Sequence, residues 1–262
     1  MQAGTAGGAL ARVGRLGAAA LRALLDLALP RACGACGHLL DEGDDGVICG
    51  RCWSRLSVLP SPRCARCGHP LRGVGDCSWC ALLPPFVRAV RSVCWAGAGS
   101  GSAIVHALKY RGWHAAAEPM AARMARLAWP DDVTSERVAL VPVPLAAARE
   151  RERGFNQSAC LARALGRYWK IPTWTSCILR IRTTTSQTRL TPGERRSNVS
   201  SAFRVSPSVS REALRGAHLV LVDDVVTTAA TVVECAAALH AGGARIVSVV
   251  TFARAPALGD RV

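Results

Sequence analysis

Val220-Leu221-Val222-Asp223-Asp224-Val225-Val226-Thr227-Thr228-Ala229-Ala230-Thr231 places an apolar run, two adjacent carboxylates and a cluster of small hydroxyl residues in direct succession. A strand buried on both faces needs a continuous apolar stretch, and His218 to Val222 supplies one. The following Thr227-Thr228-Ala229-Ala230-Thr231 turn opens a helix. Its backbone N–H groups and hydroxyls form a ready site for an anion. The acids beside it accept hydrogen bonds from a polyol. Acceptors for hydroxyls next to amides for a phosphate describe a sugar-phosphate site. The plain alternative is a strand that ends in a solvated Asp pair before a Thr-capped helix.

Working outward, Thr231 to Ala241 reads as the helix, Gly242-Gly243 as its stop, and Ile246 to Phe252 as a further strand. Upstream, Val87 to Ala96 and Val138 to Val143 read as strands and Ser158 to Tyr168 as a helix. Gly97 to Gly101 reads as a flexible turn, and residues 102–128 as helical with an interruption at Tyr110-Arg111-Gly112-Trp113. Strands alternating with helices predict an α/β fold built on a parallel sheet. Ligands of such sheets bind at the carboxyl ends of the strands, where Asp223 and Asp224 fall. Residues 181–201, rich in Thr, Ser, Arg and Gly, have no apolar period and are expected to form a mobile lid-like loop.

A chain of 262 residues, half of them hydrophobic, accommodates one medium domain and a small module. The expected divisions are an N-terminal helical extension over 1–30, a cysteine module over 31–84 closed by Pro84-Pro85, and the α/β domain over 85–262. No apolar run of the length needed to span a bilayer occurs, so membrane insertion is not expected. Leu16 to Leu29, interrupted by Arg22 and Asp26, reads as an amphipathic helix, and a cytoplasmic location is expected. The net charge is +15, and residues 149–215 hold 14 basic against 4 acidic residues, ten of those fifteen charges. Such a segment attracts phosphate, whether of a nucleotide or of a nucleic-acid backbone.

Eight of the twelve cysteines form four Cys-x-x-Cys pairs: Cys33/Cys36, Cys49/Cys52, Cys64/Cys67 and Cys77/Cys80. Two thiolates at this spacing turn around one tetrahedral ion, and two such knuckles complete a zinc shell. Sequential pairing gives two similar sites, as from an internal duplication; pairing the first knuckle with the last also fits the spacing. Disulfides and an iron–sulfur cluster are the competing uses of such a set. A closed four-thiolate site leaves no open position for substrate, so its zinc, one ion or two, is expected to be structural.

The acidic pair and Thr-rich turn resemble the 5-phosphoribosyl diphosphate (PRPP) signature of the type I phosphoribosyltransferases. Val141-Pro142-Val143-Pro144, Arg153-Gly154-Phe155-Asn156-Gln157, Ser186-Gln187, Arg195-Arg196, Asn198 and Lys109-Tyr110-Arg111-Gly112 join it. With the preceding cysteine module, the chain from about Leu24 to Arg254 resembles the ComF family of competence-associated phosphoribosyltransferase homologues. That resemblance implies a phosphoribosyltransferase fold behind a double zinc ribbon, and a chemistry of pentosyl transfer to an acceptor the sequence does not name. It implies that Asp223 and Asp224 bind the ribose hydroxyls and that Thr227, Thr228, Ala229, Ala230 and Thr231 take the 5′-phosphate, with Val225 and Val226 between them in the same PRPP-binding stretch. It implies too that the Pro142-Val143-Pro144 turn presents backbone amides to the diphosphate, and that Arg153 and Gln157, with Gln187, Arg195 and Asn198 of the 181–201 loop, close over the magnesium-bound ligand. DNA uptake, single-stranded DNA and competence-machinery proteins are the implied setting and partners. The other reading is an inactive adaptor that binds single-stranded DNA on the same fold. The family has glycine where Ala229 stands, which weighs toward binding over turnover.

Overall fold

The computed structural model describes residues 31–41, 43–44, 46–71, 77–110, 114–181, 202–256 and 260. The expected helical extension over 1–30 lies outside them. A five-stranded sheet of β1 (Leu56–Val58), β2 (Val87–Gly99), β3 (Arg137–Pro142), β6 (His218–Val226) and β7 (Ile246–Arg254) forms the frame, in the order β1-β2-β7-β6-β3. Four of the strands run parallel and β1 pairs antiparallel with β2. A separate hairpin joins β4 (Ile178–Arg180) to β5 (Phe203–Val205).

The central strands are apolar because both faces are covered. On one face Leu219, Leu221, Val247 and Val249 pack with Val232, Cys235 and Leu239 of α8 (Ala230–Ala241) and with the β4–β5 hairpin. On the other, Val220, Val222, Val250 and Phe252 pack with Ile104 and Leu108 of α2 (Gly101–Tyr110), Met120 and Met124 of α3 (Ala117–Ala125), and Leu161 and Leu165 of α6 (Gln157–Trp169). The shorter helices are α1 (Gly50–Ser54), α4 (Asp131–Glu136), α5 (Ala147–Arg153) and α7 (Arg211–Leu214). Among the described residues no helix is long and apolar enough to cross a membrane.

One outcome differs from the sequence reading. The Gly97–Gly99 run is the end of β2, not a turn, because β1 pairs with it at Leu56 and Gly99. The cysteine module is therefore stitched into the sheet. Its first knuckles (Cys33, Cys49, Cys52) lie in the α2–α6 layer, and Cys67 of the second set lies in the α8 layer. The two quartets thus contribute to opposite faces of one sheet.

Within the module the internal duplication is visible bond by bond. Cys33 N donates to His38 O and Gly37 N to Cys33 O; thirty-one residues on, Cys64 N donates to His69 O and Gly68 N to Cys64 O. Gly37 and Gly68 both take positive φ, 77° and 67°, a backbone that a side chain resists.

Candidate functional site

The acidic pair sits inside β6 near its carboxyl end, with the strand continuing to Val226. The layer alternation slips by one across it. Val220 and Val222 pack in the α2–α6 layer, yet so does Val225, while Val226 joins the α8 layer. Both carboxylates are met from the α2–α6 side. Asp223 Oδ1 accepts from Ser158 Oγ at 2.7 Å and from the Asp224 N–H at 2.9 Å. Asp224, 3% exposed, has the Lys109 ammonium 2.5 Å from its Oδ2. Burial first, and the neighbouring Asp224 charge second, push Asp223 up to about 8 despite the Ser158 hydrogen bond.

Thr227, Thr228, Ala230 and Thr231 are exposed where the chain turns into α8, while Ala229 is buried. Ala229 is the N-cap of that helix with φ 61°, the left-handed conformation that glycine adopts freely. Ala229 gives that first turn no side-chain cap, and the free N–H groups of a helix start suit an anion. The conformation expected from the motif is present, and alanine fills it.

Pro142 ends β3 beside Val222, so it lies at the same sheet edge as Asp223. The Val143 N–H donates to Val222 O at 2.9 Å, and Pro142 and Pro144 have no N–H to give. The expectation that this turn offers backbone amides to a diphosphate is corrected: its one amide hydrogen is used within the sheet. Pro142 and Val143 shape the edge instead. Val143 O accepts from Asn156 Nδ2 at 3.1 Å, and Asn156 Oδ1 caps α6 by accepting from the N–H groups of Ser158 and Ala159.

The Arg153-Gly154-Phe155-Asn156-Gln157 stretch is a helix–helix joint. Arg153 ends α5 (Ala147–Arg153), and Gly154 turns the chain at φ 77°. The Phe155 ring lies tilted against His114 with centroids 3.9 Å apart, and Asn156 opens α6. Arg153 donates to Gln157 Oε1 at 2.9 Å and rests on the Tyr110 ring at 4.6 Å. The Lys109-Tyr110 end of α2, the Arg153 joint and the acidic pair therefore meet. Gln187, Arg195 and Asn198, with the expected lid over 181–201, lie outside the described residues apart from Ile181; the flanking strands pair Arg180 with Phe203.

Sequence reasoning did not assign Ser158 or the partner of Lys109. Ser158 follows the N-cap by two residues, so the capping geometry of Asn156 was the signal that a hydroxyl faces β6 there. For Lys109 the signal was rarity: of 33 basic residues only Lys109 and Lys170 are lysines.

The cysteines separate into Cys33/Cys36/Cys49/Cys52 and Cys64/Cys67/Cys77/Cys80, the sulfurs of each quartet within 4.8 Å of one another. This is the sequential pairing, not the one joining first knuckle to last. Sulfur separations are 3.8 and 3.7 Å in the first quartet and 3.4 and 3.4 Å in the second. A tetrahedral shell with Zn–S near 2.3 Å sets its sulfurs about 3.8 Å apart, whereas a disulfide needs about 2.05 Å. Burial alone raises the Cys33 thiol, yet the N–H groups of Cys49, Cys36 and Ala35 aimed at it bring it down to about 7. Cys64 follows the same pattern to about 7, with Cys67 N–H as the leading donor. Burial pushes Cys49 and Cys52 of the first quartet, and Cys67 and Cys80 of the second, upward instead, so it is the four-sulfur geometry that suits a structural zinc ion in each quartet.

Comparison with known proteins agrees with this geometry. The double zinc ribbon domain matches residues 24–81 and the phosphoribosyl transferase domain residues 180–262. The DNA utilization protein YhgH of Salmonella typhi is 34% identical over 234 residues, 85% of this chain and 96% of its own. This chain belongs to the ComF family. The YhgH protein of Escherichia coli (strain K12) is 34% identical over 233 residues, with the same shares covered. Competence protein F of Haemophilus influenzae is 36% identical over 117 residues, 45% of this chain and 50% of its own. A glutamine PRPP amidotransferase from B. subtilis superposes with a TM-score of 0.37 at 18% identity, over 53% of this chain and 26% of its own. In ComF terms the ribbon and the phosphoribosyltransferase-type domain are one packed body here, since the ribbon strand β1 is hydrogen-bonded to β2.

Proposed function

We propose that this ComF-family chain binds magnesium–PRPP at the carboxyl end of β6 and serves DNA uptake or utilisation as a phosphoribosyltransferase-type protein. The observation that carries the reading is the sequence of groups along one stretch of backbone: two carboxylates, exposed threonines, and a helix opened by Ala229 at φ 61° without a side-chain cap. Asp223 and Asp224 accept hydrogen bonds from the ribose hydroxyls. The α8 amides and the Thr227, Thr228 and Thr231 hydroxyls take the 5′-phosphate, favoured by the positive end of the helix dipole. Arg153, partly exposed at the joint, faces the anionic ligand with a planar fork suited to phosphate oxygens. Magnesium bound with the ligand would supply charge neutralisation for the diphosphate, while Asp223 and Asp224 would hold the ribose of the same complex. The names of the relatives supply the setting in DNA utilisation and competence.

Calorimetric titration of PRPP with magnesium tests the site. The wild type binds, and Asp223→Asn with Asp224→Asn abolishes the magnesium-dependent heat; equal affinity in the double variant refutes the assignment. A second reading, single-stranded DNA binding on the same fold, is favoured by the ten net positive charges of residues 149–215. It requires affinity that falls steeply with salt, and a flat dependence removes it.

A further inference from the structure

Lys109 and Asp224 form a contact that the proposed function does not use. The Lys109 ammonium lies 2.5 Å from Asp224 Oδ2, with the lysine side chain 22% and the aspartate side chain 5% exposed. The pair therefore spans the mouth of the site: the carboxylate is inside and the ammonium is at the rim. A buried carboxylate without a counter-charge is costly, and the Lys109 ammonium supplies that counter-charge.

The choice of lysine is informative in a chain whose cations are otherwise arginines, Lys170 excepted. Arginine binds a carboxylate by a rigid two-pronged fork, whereas an ammonium on a flexible stem is a point charge that can turn between two anions. Lys109 is also adjacent to Tyr110, whose ring carries the Arg153 guanidinium at 4.6 Å, and Arg153 in turn holds Gln157. One end of α2 thus holds a carboxylate and an arginine of the same site.

We propose that Lys109 is the resident counter-ion of Asp224: in the ligand-free protein its ammonium occupies the oxygen that a ribose diol takes, and on binding it exchanges to a phosphate of the ligand. The proposal rests on the sugar-phosphate reading above. Exchange keeps both charges partnered in both states, because the carboxylate gains hydroxyl donors as the ammonium gains phosphate oxygens. Lys109 is in this sense a positioning residue that keeps the Asp224 carboxylate partnered and aimed before the ligand arrives.

Nitrogen-15 labelling of lysine makes the test direct, since only two side-chain ammonium signals arise and Lys170→Arg assigns them. Without ligand, Asp224→Asn shifts the Lys109 signal and leaves that of Lys170 in place; an unmoved Lys109 signal overturns the ion pair. The wild type is then titrated with magnesium–PRPP by calorimetry and by the same spectra. Binding with a moved Lys109 signal supports exchange, and Lys109→Met then binds at least about tenfold more weakly, the scale of one charge-assisted contact. Binding with Lys109 unmoved overturns exchange and leaves the site reading standing. If neither the wild type nor Lys109→Met binds magnesium–PRPP, both readings fall.

Discussion

Asp223 is the residue at which function and stability pull apart. Its folded carboxyl is pushed up to about 8 from an ordinary 3.8, by burial and then by the Asp224 charge. The folded form therefore holds a proton that the unfolded chain releases. The stability tied to that proton is complete below about pH 4 and is lost as pH rises toward 8. Asp223→Asn is accordingly expected to match the wild type in melting temperature near pH 4 and to exceed it near pH 8. The gain is modest because Asp223 keeps part of its surface in water, on the order of 1 kcal/mol or about 3 °C for a chain of this size. A variant that melts lower at pH 8 by calorimetry contradicts this burden. Ala229 is a second test at this scale. Replacing it by glycine removes roughly 1–2 kcal/mol of left-handed strain, but loses about 0.8 kcal/mol of methyl burial and up to about 1 kcal/mol through the freer unfolded chain. The terms nearly cancel. Ala229→Gly should therefore melt within about 2 °C of the wild type, whereas Ala237→Gly in the body of α8 should lose about 1 kcal/mol, measured in the same scans.

At the scale of elements, Asn156 does two jobs from one side chain: its oxygen caps α6 and its amide nitrogen ties that cap to Val143 O at the end of β3. Asn156→Asp keeps the cap acceptor and loses the donor, and Asn156→Ala loses both. Denaturant melts should rank them wild type, Asp, Ala, with the alanine variant down by about 1–2 kcal/mol. Equal losses in both variants would mean the cap contributes nothing. The strand–turn–helix–strand unit of β6, α8 and β7 was legible in the sequence because continuous apolar runs and a Gly242-Gly243 stop are local signals. The Ser158–Asp223 bond was not, since its partners are 65 residues apart and only packing of α6 on β6 brings them together. The pairing of β1 was likewise hidden, because Leu56-Ser57-Val58 is too short to carry a period and the glycines it pairs with look like a turn.

For the whole molecule, the ribbon is part of the core and is held there by arginines. Arg91 of β2 donates to Ala65 O at 2.8 Å and to Arg66 O at 3.1 Å, at the knuckle that opens the second quartet. Arg254 of β7, fully buried, donates to Cys67 O at 2.6 Å and lies over the Trp79 ring at 4.2 Å. Burial weakens the hold of Arg91 and Arg254 on their protons, while the nearby Cys67 sulfur strengthens it. A zinc ion with four thiolates carries two negative charges, so these guanidinium groups offset a charge that the core otherwise could not hold. On the other side Ser100 Oγ donates to Cys52 O at 2.5 Å, and the Trp53 ring meets Phe252 of β7 at 6.2 Å. An independent ribbon would lose its metal and leave the sheet unchanged. This arrangement instead couples metal to fold, because the ribbon is bonded to β2 and β7, and β7 pairs along its length with β6, the strand that carries Asp223 and Asp224. Chelation under reducing conditions is therefore expected to lower the single calorimetric transition of the whole chain and to weaken magnesium–PRPP binding together with it. Arg254→Met should lower that transition without altering the zinc content of the first quartet. Two separate transitions, with the second unmoved by chelator, would show that the ribbon and the sheet fold independently.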